Sequence, residues 1–171
     1  IVISNEGSVK IIDFGCSVCD SAIIPNHIQA LPYRAPEVIL NLPKSNKIDV
    51  WSLGCIAVEL YAGYPIFSGE TENEVLQYIQ KRLGDFPLSV IRNSPNGREM
   101  FKRHKVISQK RFTDKYYKYL TLEGIINTIH FASDTDDSKK SFISLVKGML
   151  EINSFERFSI EQVLSHPFLA T

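Results

Sequence analysis

Residues 47–63 read Lys-Ile-Asp-Val-Trp-Ser-Leu-Gly-Cys-Ile-Ala-Val-Glu-Leu-Tyr-Ala-Gly, the longest apolar run in the chain. Its apolar residues do not keep to one stripe. Val50, Leu53, Ala57 and Leu60 share one side, and Trp51, Cys55, Ile56 and Val58 cover much of the rest. A helix that is apolar nearly all round is either buried on all sides or crosses a bilayer. At about 16 residues, with Asp49 and Glu59 inside it, the run is too short and too charged for a membrane span. Asn46 offers an N-cap with Asp49 three residues on, a short-armed capping box. Gly63 followed by Pro65 is a stop signal. The expectation is a central helical post with the other elements packed around it.

The bulk numbers set the frame. A chain of 171 residues fits one domain or a large piece of one. A hydrophobic fraction of 44% suffices for a real core. The 19 basic and 19 acidic residues cancel, so no global field for a polyanion is implied. Three cysteines, an odd number, and no leader-like opening set the expectation of a reducing intracellular compartment, cytoplasmic or nuclear. Cys16 and Cys19 form a C-x-x-C with no second pair and no histidine cluster, which argues against zinc. The chain opens on Ile1-Val2-Ile3, already in strand pattern, so the sequence is expected to start inside a domain.

Taken in order, Ile1–Ile3 and Val9–Ile12 flank Ser4-Asn5-Glu6-Gly7-Ser8 and read as a β-hairpin. Asp13-Phe14-Gly15 follows. A carboxylate leaving a strand can be aimed into a cleft, and such oxygen donors suit Mg²⁺ bound with substrate phosphates. Taken alone, the tripeptide reads as a surface turn. Ala35-Pro36-Glu37 precedes Val38-Ile39-Leu40, with Pro36 placed for a helix first turn and Glu37 at its positive end. Val75, Leu76, Ile79 and Leu83 have helical spacing, with Thr71 as cap, Glu74 three residues on and Gly84 as stop. Residues 98–118 hold eight basic residues against two acidic, and Phe101, Phe112, Tyr116, Tyr117 and the adjoining Tyr119 lie along the same stretch. That stretch reads as a solvated insert with aromatic anchors or a protein-docking surface, in preference to a nucleic-acid site. Helical spacing returns over residues 141–150, and a lone Arg157 precedes an amphipathic stretch at 160–164.

Four features stand in one order: Asp13-Phe14-Gly15, Ala35-Pro36-Glu37, Asp49-Val50-Trp51-Ser52-Leu53-Gly54 and Arg157. Together they resemble the second half of the eukaryotic protein-kinase catalytic domain, over residues 1–169. With Ile28-Gln29, a run of 25 positions from Asp13 to Glu37, and Gly63-Tyr64-Pro65-Ile66-Phe67-Ser68-Gly69-Glu70, the chain is most similar to the dual-specificity tyrosine-regulated and homeodomain-interacting kinases. Those belong to the group of cyclin-dependent and mitogen-activated kinases. One position departs: His27 stands where these relatives often carry an autophosphorylated tyrosine.

The resemblance implies a mainly α fold, the large lobe of a kinase with a small β-hairpin remnant at its N-terminal edge. Residues 1–169 would then be a partial domain, with the small lobe and the catalytic base upstream of Ile1, and the chain alone inactive. The implied activity is transfer of the γ-phosphoryl group of ATP, with Mg²⁺, to Ser/Thr or Tyr of protein substrates, with proline after the acceptor residue. Asp13 would hold Mg²⁺ on the ATP phosphates and Gly15 would let the backbone pivot. Arg34 would shape substrate choice in the activation segment, where Tyr33 also lies. Glu37, Asp49 and Arg157 would be supports, Glu37 pairing with Arg157 and Asp49 bracing the catalytic loop. Partners would be protein substrates, with docking on the 85–138 insert, and neither nucleic acid nor membrane. The contrasting reading is a non-catalytic, kinase-derived scaffold or binding module.

Overall fold

The computed structural model of the chain describes residues 1–19, 23–25, 27–103, 105–107 and 121–170. The fold is mainly α, as expected, with two small hairpins. The first pairs β1 (Val2–Ile3) with β2 (Val9–Lys10), Val2 facing Lys10 and Ile3 facing Val9. Gly7 turns it at φ 80, and the Ser8 N–H donates to Ser4 Oγ. The hairpin is shorter than its apolar runs. Ile1, Ile3, Val9, Ile11, Ile12 and Phe14 stand exposed along this edge, so nothing in the described chain covers it.

Residues 47–62 form one long helix. After α1 (Pro36–Ile39), helix α2 spans Lys47–Ala62 and is closed by Gly63 at φ 82. Its apolar girth has a simple cause: α2 stands between two cores. Trp51, Cys55 and Val58 face the main one, whereas Val50 belongs to a second cluster with Leu145, Met149 and Val163. Two expectations fail here. Leu53 is 37% and Leu60 73% exposed, so one side of the post is open in this chain. Asn46 makes no side-chain cap, because its backbone is already helical at φ −57, ψ −14 and its side chain cannot reach back over the first turn. Ser45 serves instead, its Oγ accepting from the Lys47 N–H at 3.3 Å.

Helix α3 (Glu72–Leu83) follows its pattern closely. Thr71 Oγ1 accepts from the Glu74 N–H, Gly84 ends the helix at φ 102, and Val75, Leu76 and Ile79 are buried. Glu74 Oε2 reaches back to the Glu70 N–H, one residue beyond the capping-box partner. The insert holds more order than its sequence suggested: α4 (Leu88–Asn93), α5 (Gly97–Met100), a hairpin of β3 (Phe101–Lys102) with β4 (Lys105–Val106), and α6 (Leu122–Thr128). Phe101 anchors it edge-on against Phe86, with centroids 5.0 Å apart. Phe112, Tyr116, Tyr117 and Tyr119 lie outside the described residues.

Helix α7 (Asp136–Met149) starts five residues before its apolar spacing begins, because Thr135 and Ser138 form a reciprocal capping box over a polar first turn. Its far end meets α2 at Gly54, where a Cβ would stand 3.0 Å from Met149 and Leu150. The chain then turns back through Arg157 into α8 (Ile160–Leu164) and a 3₁₀ turn at Pro167–Leu169. His166 caps that turn, its Nδ1 accepting from the Phe168 N–H. Among the described residues no helix is long and apolar enough to cross a membrane.

Gly148 sits where this return packs on α7. A Cβ there would lie 2.1 Å from the Phe158 ring, whose backbone N–H also bonds to Gly148 O. Gly148→Ala is therefore expected to destabilise the protein by about 1–3 kcal/mol through overpacking, despite the better helix propensity of alanine. Urea unfolding of the variant measures this; an unchanged or raised midpoint would contradict it.

Candidate functional site

The loop before α1 is shaped by Arg34. Residues 31–33 make one 3₁₀ turn, and Pro36 opens α1 directly behind it. The Arg34 side chain turns inward and is buried. Its Nε donates to Ile28 O at 3.0 Å and Gln29 O at 3.2 Å, and its second terminal nitrogen donates to Gln29 O at 2.8 Å. The remaining nitrogen pairs with Glu72 Oε1 at 2.7 Å, at the start of α3. Gln29 has φ 67, a left-handed conformation unusual for glutamine. Tyr33 folds the other way: its hydroxyl donates to Glu59 Oε2 on α2 at 2.7 Å, and this bond with partial burial pushes its pKa up to about 12. Ser52 Oγ donates to Tyr33 O at 2.9 Å. Gln29's carbonyl, Ser52, Glu59 and Glu72 all hold this loop, and the sequence motifs assigned none of them a part in it.

Behind the loop, the structure brings Glu37 and Arg157 together from 120 positions apart. The pair is bidentate, at 2.6 and 2.8 Å, and each residue is only 1% exposed. Arg157 also donates to Lys47 O at 3.0 Å and Glu151 O at 2.9 Å. Its guanidinium lies 5.0 Å over the Trp51 ring, and Trp51 stacks on Phe67 at 5.5 Å. Lys47 Nζ returns bonds to Arg157 O and Phe155 O. Trp51 thus reaches the α1 region through the arginine that holds Glu37. A planar fork with five donors suits these four acceptors, and a lysine ammonium would not.

The remaining sequence-assigned residues lie apart from these two networks. Asp13 is exposed at φ 64, with its Oδ1 accepting from the Gly15 N–H at 3.4 Å. Asp49 is exposed on the first turn of α2, and among the described residues its carboxylate has no hydrogen bond or ion pair. Partial desolvation holds its carboxyl above the ordinary carboxylate range. Among the described residues no cluster of three His, Cys, Asp or Glu side chains could hold a metal ion unaided. A lone exposed carboxylate such as Asp13 fits Mg²⁺ in the form that takes its other ligands from water and phosphate.

The Arg157 fork generates a direct test. Arg157→Lys keeps the charge but cannot reach Glu37, Lys47 O and Glu151 O at once, and is expected to cost about 2–4 kcal/mol. Chemical denaturation reads this, and a loss below about 0.5 kcal/mol would show that the fork is dispensable.

A family model described as the protein kinase domain matches residues 1–169. Dual specificity tyrosine-phosphorylation-regulated kinase 4 of Homo sapiens is 36% identical over 96% of this chain and 30% of its own length. Dual specificity protein kinase YAK1 of Saccharomyces cerevisiae is 31% identical over 96% of this chain and 24% of its own. Serine/threonine-protein kinase ppk5 of Schizosaccharomyces pombe is 33% identical, covering 96% and 19%. The chain thus spans 19–30% of the length of these relatives. With the fold, the kinase motif order and the match over nearly every residue in hand, the chain belongs to the protein kinase family, on the side of the dual-specificity tyrosine-regulated and YAK1-type kinases.

Proposed function

We propose that this chain is the large-lobe part of a proline-directed Ser/Thr or dual-specificity protein kinase, whose small lobe and catalytic base lie upstream of Ile1. Protein kinases as a family use ATP and Mg²⁺, which supply the transferred phosphoryl group and neutralise its charge. Asp13 is the residue here that would hold the metal, and Gly15 gives its loop room to pivot. Glu37 and Arg157 keep the activation segment seated on α2. Asp49 offers a carboxylate to backbone N–H groups of the catalytic loop. An intracellular setting, cytoplasmic or nuclear, belongs to the same proposal, since all three cysteines are free thiols of the kind reducing compartments maintain.

One observation carries the proline preference. Gln29 O, in the loop that faces a bound substrate, already accepts two bonds from Arg34. A substrate residue with a backbone N–H at that point would lose its solvent and find a carbonyl already occupied. Proline has no N–H to leave unsatisfied. A stranded buried donor costs about 1–3 kcal/mol, which is roughly a tenfold to hundredfold preference for proline.

The test uses the full-length protein with ATP·Mg²⁺ and matched Ser-Pro and Ser-Ala peptides. Wild type is expected to favour the Ser-Pro peptide by about tenfold or more in kcat/KM, and Arg34→Met to narrow that ratio. Asp13→Asn is expected to lower kcat by at least about a hundredfold. Equal use of the two peptides would refute proline direction, and undiminished turnover in Asp13→Asn would refute the role given to Asp13.

A further inference from the structure

Cys16 and Cys19 stand three residues apart, directly after Asp13-Phe14-Gly15, and take no part in either polar network. Both are exposed free thiols, whereas the third cysteine, Cys55, is buried in the core on α2. All of residues 11–19 are exposed, and among the described residues the hydrogen bonds of 13–19 close within the segment. Ser17 makes two of them. Its N–H and its Oγ both donate to Phe14 O, at 3.0 and 2.7 Å, so Gly15 and Cys16 form the corner of a turn. Residues 17–19 leave that corner without forming another turn. Two thiolates fill only half of a tetrahedral zinc shell, and among the described residues no third His, Cys, Asp or Glu joins them as a metal ligand. Two neighbouring exposed thiols suit a different chemistry, in which one is oxidised and the other captures it.

We infer that Cys16 and Cys19 are an oxidation site, joined reversibly to each other in a disulfide by hydrogen peroxide. The thiolate of one attacks a peroxide oxygen, the O–O bond breaks, and one water leaves, giving a sulfenic acid. The second thiolate attacks that sulfur, the S–O bond breaks, the S–S bond forms, and a second water leaves. Two thiols and one peroxide thus become one disulfide and two waters, the sulfurs giving up the two electrons that reduce the peroxide. A disulfide needs Cα atoms about 4.4–6.8 Å apart. Three extended residues span about 10 Å, whereas a four-residue turn brings its ends within about 7 Å. Oxidation therefore demands a second turn at 16–19, immediately behind the one at 14–17. The doubled turn shortens the chain leading away from Asp13 and removes the pivot at Gly15. In the kinase proposed above it misplaces the Asp13 carboxylate, so the oxidised protein is switched off and a dithiol reductant restores it. The disulfide itself is independent of the kinase reading, and its effect on turnover rests on that reading.

The reduced full-length protein is treated with hydrogen peroxide, blocked with an alkylating agent, digested and weighed, with turnover of a Ser-Pro peptide measured in parallel. The peptide holding Cys16 and Cys19 is expected to be unalkylated and two hydrogens lighter, and dithiothreitol to return both thiols. Turnover is expected to fall by about tenfold or more on oxidation and to recover on reduction. Cys16→Ser and Cys19→Ser are each expected to keep the turnover of the reduced wild type and to lose the reversible response to peroxide. General oxidative damage would inhibit these variants as much as the wild type. Alkylation of both thiols after peroxide, or a disulfide from either one to a different cysteine, would overturn the inference. So would a Cys16→Ser variant that peroxide inhibits as strongly and as reversibly as the wild type. A reduced wild type without turnover would refute the kinase reading and the switch that rests on it, and the masses alone would then uphold or overturn the disulfide.

Discussion

A single buried guanidinium sets the frame of this chain. Arg157 arrives from the return after α7 and satisfies Glu37 on α1, Lys47 O at the head of α2 and Glu151 O beyond α7, with its face on Trp51. Removing an ion from water costs several kcal/mol, and only dense, well-directed bonding returns it. The position of each partner is therefore conditional on the others. Apolar packing joins Val38, Ile39 and Leu40 to the same core as Leu150 and Ile152, and this one group adds the polar tie between Glu37 and the end of the domain.

A second layer of polar bonding is built on that frame. Arg34 and Gln29 between them occupy Ile28 O, Gln29 O and the Ala35 N–H of the loop, and Glu72, Ser52 and Glu59 anchor it to α3 and α2. The two arginines divide the work. One sits in the core and holds the loop's base, and the other lies under its surface and determines which backbone atoms remain free. The left-handed backbone at Gln29 is accompanied by three side-chain bonds, to Ile48 O, Ser52 Oγ and the Ala35 N–H.

Much of the fold was readable from local signals. Helix α3 was legible because its apolar spacing, Thr71 cap and Gly84 stop all act within one helix. The end of α2 at Gly63 was equally local. Its burial was not, since Leu60 is exposed or covered according to what packs beside it, and periodicity carries no such information. The start of α7 was hidden by a polar first turn whose signal, Thr135 with Ser138, lies outside the apolar pattern. The insert was opaque because a contact such as Phe101 on Phe86 joins positions that no short window holds. At the site, motif order pointed to Glu37, Arg34 and Arg157, whereas Gln29's side-chain bonds, Ser52 and Glu72 emerge only when the loop is folded over α2. Such contacts have no spacing to recognise.

The claim that a buried ion pair organises the chain is tested most directly by a double-mutant cycle on its two members, Glu37→Leu and Arg157→Met, followed by equilibrium unfolding. Each single variant leaves one charge buried without its partner, and the double variant leaves neither. The account predicts a coupling of at least about 2 kcal/mol, with the double variant more stable than either single one. Additive losses, with the double variant the least stable of the three, would contradict it.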